Sequence, residues 1–159
     1  NPAHLYPLYL LLFSMPGVPS IYYGSEWGLR GEKTPSSDAP LRPALPAPGE
    51  AAPPHPQLVK AITRLVSLRH SSPALRRGDY QQLLVQHEQF AFLRQSPEES
   101  LVVAVNAAQT PAEIEINLPA SANGNLVDLL NPGERFPLRD GRASLLLPAT
   151  WGRVLRVES

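Results

Sequence analysis

Eight of the 19 prolines fall between residues 35 and 56, and this stretch divides the chain. Each proline fixes φ and removes a backbone donor, so TPSSDAPLRPALPAPGEAAPPHP forms neither a regular helix nor a central strand. It reads as a long loop, and the sequence has a different texture on each side of it. On the N-terminal side, the apolar run HLYPLYLLLFSM predicts a buried helix over 3–14, stopped by Met15-Pro16-Gly17. Residues 18–23 (VPSIYY) then predict a short apolar strand closed by Gly24. A helix feeding a short apolar strand is the local pattern of an α/β unit, whose parallel strand is covered on both faces. Alone, such a strand has two unpaired edges. Residues 1–35 are therefore expected to pack on a second copy or on more of a longer protein, or to stay unordered.

On the C-terminal side, Leu58, Ile62, Leu65 and Leu68 recur at three- and four-residue spacing and predict a helix over 57–70. Pro56 suits its first turn, Pro73 is expected to stop it, and Lys60, Arg64 and Arg69 lie off the stripe or at its end. From Asp79 onward the pattern is short strands broken by turns: 80–86, 89–95, 100–106, 112–118, 125–130, a segment around Phe136, 142–148 and 151–158. AEIEINL alternates with Ile114, Ile116 and Leu118 on one face, and Asp140-Gly141 is a strong hairpin signal. Phe90 and Phe92 share a face, read as the inner one, and Trp151 reads as a core or interdomain anchor. Eight short strands at regular spacing without a long helix between them point to an antiparallel sandwich. The expected domains are 1–76, an α/β end with the proline-rich loop 35–56, and 77–159, the β-domain.

Composition excludes several functions. Lys plus Arg and Asp plus Glu both number 14, and the basic residues are scattered, so neither nucleic acid nor an anionic membrane is an expected partner. There is no cysteine, hence no disulfide, thiolate nucleophile or cysteine-ligated metal. His4, His55, His70 and His87 are too far apart in sequence for an i, i+4 ligand pair, so no metal is expected, and no motif calls for a cofactor. The opening apolar run is interrupted by Pro7 and is shorter than the roughly 20 residues of a membrane helix. It has no basic leader or small-residue cleavage site, which favours a cytoplasmic location. Asn1 is not an initiator, and the chain reads as cut from a longer one.

Five motifs, in order, carry a resemblance. MPGVPSIYYGSEWGLRGEK (15–33) resembles the eighth barrel strand of the α-amylase family, glycoside hydrolase family 13. Ser37-Asp38 with LRPAL (41–45) is similar to that family's following loop. LVSLRHSSPALRRGDY (65–80) resembles the last barrel helix and its exit, and FAFLRQSPEESLVVAVN (90–106) the first hairpin of the C-terminal β-domain. LVDLLNPGE (126–134) and the turn at Gly141 complete it. The wording is nearest to cyclomaltodextrinase- and neopullulanase-like members. The resemblance implies the end of a (β/α)8 barrel followed by an all-β antiparallel sandwich, mainly β overall. It implies an α-glucan-acting, retaining glycoside hydrolase or transglycosylase as the parent enzyme.

Retaining hydrolysis needs two carboxylates about 5 Å apart. The resemblance puts those groups, and a third supporting aspartate, on strands four, five and seven, all before Asn1, so no residue here is expected to be catalytic. The chain alone is expected to be inactive, its partners being an α-glucan bound through the rest of a barrel, and the remainder of the same enzyme or a second copy. Glu26 matches the family's Glu after YYG and is expected to support the site from beneath or to be paired structurally. Tyr22 and Tyr23 are read as packing at the strand's core and rim, with sugar stacking as the other reading. Gly24 is read as supplying a backbone conformation closed to other residues. Trp27 could stack on a glucose ring or lie buried under the loop. Asp38 and Arg42 are expected to form a loop-fixing ion pair, with contact to substrate as the other reading. A different class of function, a non-catalytic carbohydrate-binding or interaction module, would use the aromatics of the sandwich: Tyr80, Phe90, Phe92, Phe136 and Trp151.

Overall fold

The structure is a computed structural model, and it describes residues 2–47, 49–119 and 122–158. Three helices come first: α1 (Leu5–Ser14), α2 (Pro56–Ser71) and α3 (Pro73–Arg77). Eight strands follow: β1 (Asp79–Val85), β2 (Gln89–Gln95), β3 (Ser100–Asn106), β4 (Ala112–Asn117), β5 (Gly124–Asp128), β6 (Arg135–Leu138), β7 (Arg142–Leu147) and β8 (Trp151–Glu158). Every predicted strand of the C-terminal half is present. Six of them form one antiparallel sheet in the order β1-β2-β3-β8-β5-β6, and β4 pairs with β7 in a second.

The hydrophobic pattern explains this layering. In β3, Leu101, Val103 and Val105 face the helices, while Val102 and Ala104 face the β4–β7 pair. Covered on both faces, β3 is buried from Leu101 to Asn106 and shows no polar alternation. The outer pair β4–β7 has one face on the core and one toward solvent, so it alternates: Ile114, Ile116, Leu145 and Leu147 are buried, Leu146 is exposed. The six-stranded sheet is thus the middle of three layers.

The helical layer changes part of one expectation, because one face of α1 is buried within the chain itself. α1 does not wait for a second molecule: Tyr9, Leu10 and Phe13 pack into one cluster with Leu58, Ile62 and Leu65 of α2 and with Phe92, Val103 and Val154 of the sheet. Leu10 reaches β8 where Gly152 leaves room. A Cβ on Gly152 would stand 2.6 Å from Leu10 Cδ2 and 2.2 Å from the Ala104 carbonyl oxygen. Tyr6 of α1 meets Trp151 edge-on at 5.8 Å between ring centroids, which makes Trp151 an anchor between helix and sheet.

Two further expectations change. Residues 18–23 form no strand; Val18 is 94% exposed. An apolar strand of this kind is made by the strands beside it, and none lies alongside among the described residues. Pro73 does not simply end the helical region but starts α3, where its missing donor is harmless. The Ser72 hydroxyl accepts from the Leu75 amide at 3.0 Å and itself donates to Glu99 on the β2–β3 turn, so the turn between the helices is capped from the sheet.

Candidate functional site

The segment leaving α1 is held from two directions by buried arginines. Arg69 on α2 donates through Nη1 to the carbonyls of Phe13 (2.7 Å) and Met15 (3.1 Å), and through Nη2 to that of Gly17 (2.5 Å). Arg94 on β2 is 1% exposed. It donates to Ser14 O (2.5 Å), Gly78 O (2.9 Å) and Asp79 O (3.3 Å). Cations at a helix C-terminus meet its unpaired carbonyls and its negative dipole end. Burial lowers the pKa of both guanidiniums, and Arg69 lowers that of Arg94 further while Asp79 acts the other way. Together the two side chains fasten the end of α1 to α2, to the sheet, and to the α3–β1 corner.

The predicted site residues lie just beyond this clamp. Tyr22 and Tyr23 are exposed, with ring centroids 5.0 Å apart, so neither is packed in the core among the described residues. Gly24 is buried at φ 84°, the left-handed conformation its reading required, and opens a 3₁₀ turn over Ser25–Trp27. Glu26 Oε2 is buried without a hydrogen-bond partner among the described residues. It faces the buried Tyr9, whose pKa is raised by burial, lowered by a hydrogen bond with Ser25, and raised again by the Glu26 charge. Trp27 is half-buried. The loop ion pair is Lys33–Asp38 at 3.2 Å rather than Asp38–Arg42, and both its side chains are largely exposed. Tyr22 through Trp27 thus form one local cluster whose Ser25–Trp27 turn lies against α2 while its two tyrosines are exposed, and Asp38 and Arg42 stay on the solvent side of the long loop.

A second polar centre was missed by the sequence reading. Arg153 on β8 bonds Asp128 (2.8 Å) and Glu134 (2.7 Å), and its guanidinium lies 4.7 Å from the Phe136 ring centre. Asp128 also accepts from the amides of Leu130 and Asn131 and from the Asn131 side chain. Asn131 accepts in turn from Trp151 Nε1 at 2.8 Å. The network runs from the 131–134 turn to the Tyr6 edge of α1. The aromatics considered for sugar binding are engaged elsewhere: Phe92 is fully buried, Phe90 and Tyr80 pack against it, and Phe136 lies under Arg153. No group of three His, Cys, Asp or Glu among the described residues is placed to hold a metal, and no helix among them is long and apolar enough to cross a membrane.

The fold is thus a β-domain closed on one face by helices, with a clamped loop segment beyond them. It defines the class: a C-terminal β-domain of amylase type. Residues 80–150 match the model of the maltogenic amylase C-terminal domain. The chain is 30% identical over 155 residues to a cyclomaltodextrinase of Geobacillus thermopakistaniensis, covering 96% of this chain and 25% of that protein. An Anoxybacillus α-amylase structure aligns with a TM-score of 0.83 at 27% identity, over 100% of this chain and 34% of that one. The α-amylase of Geobacillus thermoleovorans shares the fold, with a TM-score of 0.85 at 24% identity, again over 100% and 34%. The chain therefore spans about a quarter to a third of the length of these relatives. Over residues 80–150 it matches the maltogenic amylase C-terminal domain, and as a whole it is similar to a portion of these α-amylase-type enzymes.

Proposed function

We infer that this chain is the C-terminal section of an α-glucan-acting glycoside hydrolase or transglycosylase of the retaining type, and that it supports the active site without supplying its reacting groups. The observation that carries this reading is the clamp. Arg69 and Arg94 tie the 13–17 segment to a β-domain of maltogenic amylase type, immediately before the Tyr22–Trp27 cluster. In a barrel enzyme the active site lies at the C-terminal ends of the strands. A rigid mount just before the segment that this reading places at a strand end fixes the position of whatever follows it.

The domain division follows from the same reading: residues 1–76 complete a barrel and 77–159 buttress it. The carboxylates near the cluster suit support rather than chemistry. Glu26 Oε2 is closed off from solvent, and Asp38 is occupied by Lys33. The outer face of α1 fits the same role, since Leu8 is 56% exposed beside Leu11 and Leu12. An apolar helix face of this kind packs against further helices or strands of a barrel.

The coding sequence upstream of Asn1 tests the proposal. It should encode three carboxylate motifs, including an Asn-His-Asp motif on the strand before α1. An open reading frame without them would leave a non-catalytic module as the reading.

A further inference from the structure

Arg69 carries more positive charge into the interior than its visible partners neutralise. It is 8% exposed and forms no ion pair among the described residues. Its three hydrogen bonds go to neutral carbonyls and use both Nη1 hydrogens and one on Nη2. That leaves Nε and one Nη2 hydrogen without a protein acceptor among the described residues. Carbonyl dipoles replace only part of a cation's hydration, so the guanidinium keeps a strong preference for a nearby anion.

Arg69 also lines a cavity of about 240 Å³ between α1, α2 and α3. The other polar side chains of its wall are His70 and Arg76, and there is no Asp or Glu in it. Arg76 makes one long hydrogen bond, 3.4 Å from Nε to Ser72 O, which leaves both Nη groups free among the described residues. The rest of the wall is apolar, including Phe13, Val18 and Pro19. The volume lies below the roughly 300 Å³ at which drug-sized sites begin, so the ligand is small. Two guanidiniums beside an apolar floor match a carboxylate on a compact apolar body, because the planar fork of arginine pairs with carboxylate geometry.

We propose that this cavity binds a small organic carboxylate, its acid group held between Arg69 and Arg76 and its body against Phe13, Val18 and Pro19. The site shares Arg69 with the clamp but uses none of the Tyr22–Trp27 cluster, and its failure would leave the glucan reading standing. The test is titration of sodium benzoate into the ¹⁵N-labelled chain, following the arginine Nε–Hε resonances. A saturable shift of the Arg69 signal is expected, absent with neutral benzamide and at least about tenfold weaker with inorganic phosphate. Arg76→Ala, at an exposed position, should weaken benzoate about tenfold through the loss of one charge-assisted bond. Arg69→Lys should remove binding where circular dichroism shows it folded. A shift linear in benzoate, one matched by benzamide or phosphate, or one unchanged in Arg76→Ala overturns the proposal.

Discussion

Replacing Arg94 by methionine separates two opposing effects of a buried cation. Methionine has comparable length and fills the space, so the change removes charge and donors rather than volume. Three carbonyls lose a partner: Ser14 at 2.5 Å, Gly78 at 2.9 Å and Asp79 at 3.3 Å. Stripping a buried acceptor costs about 1–3 kcal/mol, and two good bonds plus one long one put the gross loss near 4 kcal/mol. Against this stands relief from desolvating a guanidinium that is 1% exposed and repelled by Arg69. That relief is worth about 2 kcal/mol on the scale of buried ions. The net expectation for Arg94→Met is a destabilisation of about 2 kcal/mol, or roughly 1 M off the urea midpoint at an ordinary m-value. Urea unfolding followed by tryptophan fluorescence measures it. A midpoint that is unchanged or higher in Arg94→Met means desolvation outweighs the carbonyl bonds, and the clamp argument fails.

Gly152→Ala should destabilise by about 1–3 kcal/mol, because the new Cβ meets a backbone oxygen at 2.2 Å as well as Leu10. A Leu10→Ala background should not rescue it in the same assay. Asp128→Ala should cost about 3–5 kcal/mol by calorimetric melting, since it strips Arg153, two amides and Asn131 of their acceptor. Tyr9 should contribute a pH dependence. Its folded pKa is raised, chiefly by burial, so its contribution is fully present below the unfolded value near about 10 and is lost as pH rises beyond it. Stability curves of the parent chain and Tyr9→Phe should therefore converge on the alkaline side, and the variant should lack the late component of phenolate absorbance.

The β-domain was legible because its strands announce themselves by alternation and by turns such as Asp140-Gly141. α2 was equally clear from Leu58, Ile62 and Leu65. The buried arginines were overlooked because arginine reads as surface, yet the periodicity already held them. Arg94 follows Phe90 and Phe92 at the two-residue spacing that puts all three on one sheet face. Arg69 follows Leu58, Ile62 and Leu65 at helical spacing, and these four are the buried residues of α2. Residues 18–23 misled for the opposite reason. Their apolar content describes the neighbours a strand needs, and pairing rather than composition makes a strand. The Lys33–Asp38 pair lay beyond reach, because partner choice in a solvent-facing loop depends on backbone geometry that proline content alone does not specify.

The central claim is that this chain mounts an active site whose reacting carboxylates are not its own. Its most direct measurement is turnover of cyclodextrins and maltodextrins by the purified chain, in parallel with Glu26→Gln. The account predicts no reducing sugar above background from either protein. Release of sugar by the chain, whether or not Glu26→Gln removes it, would contradict the account.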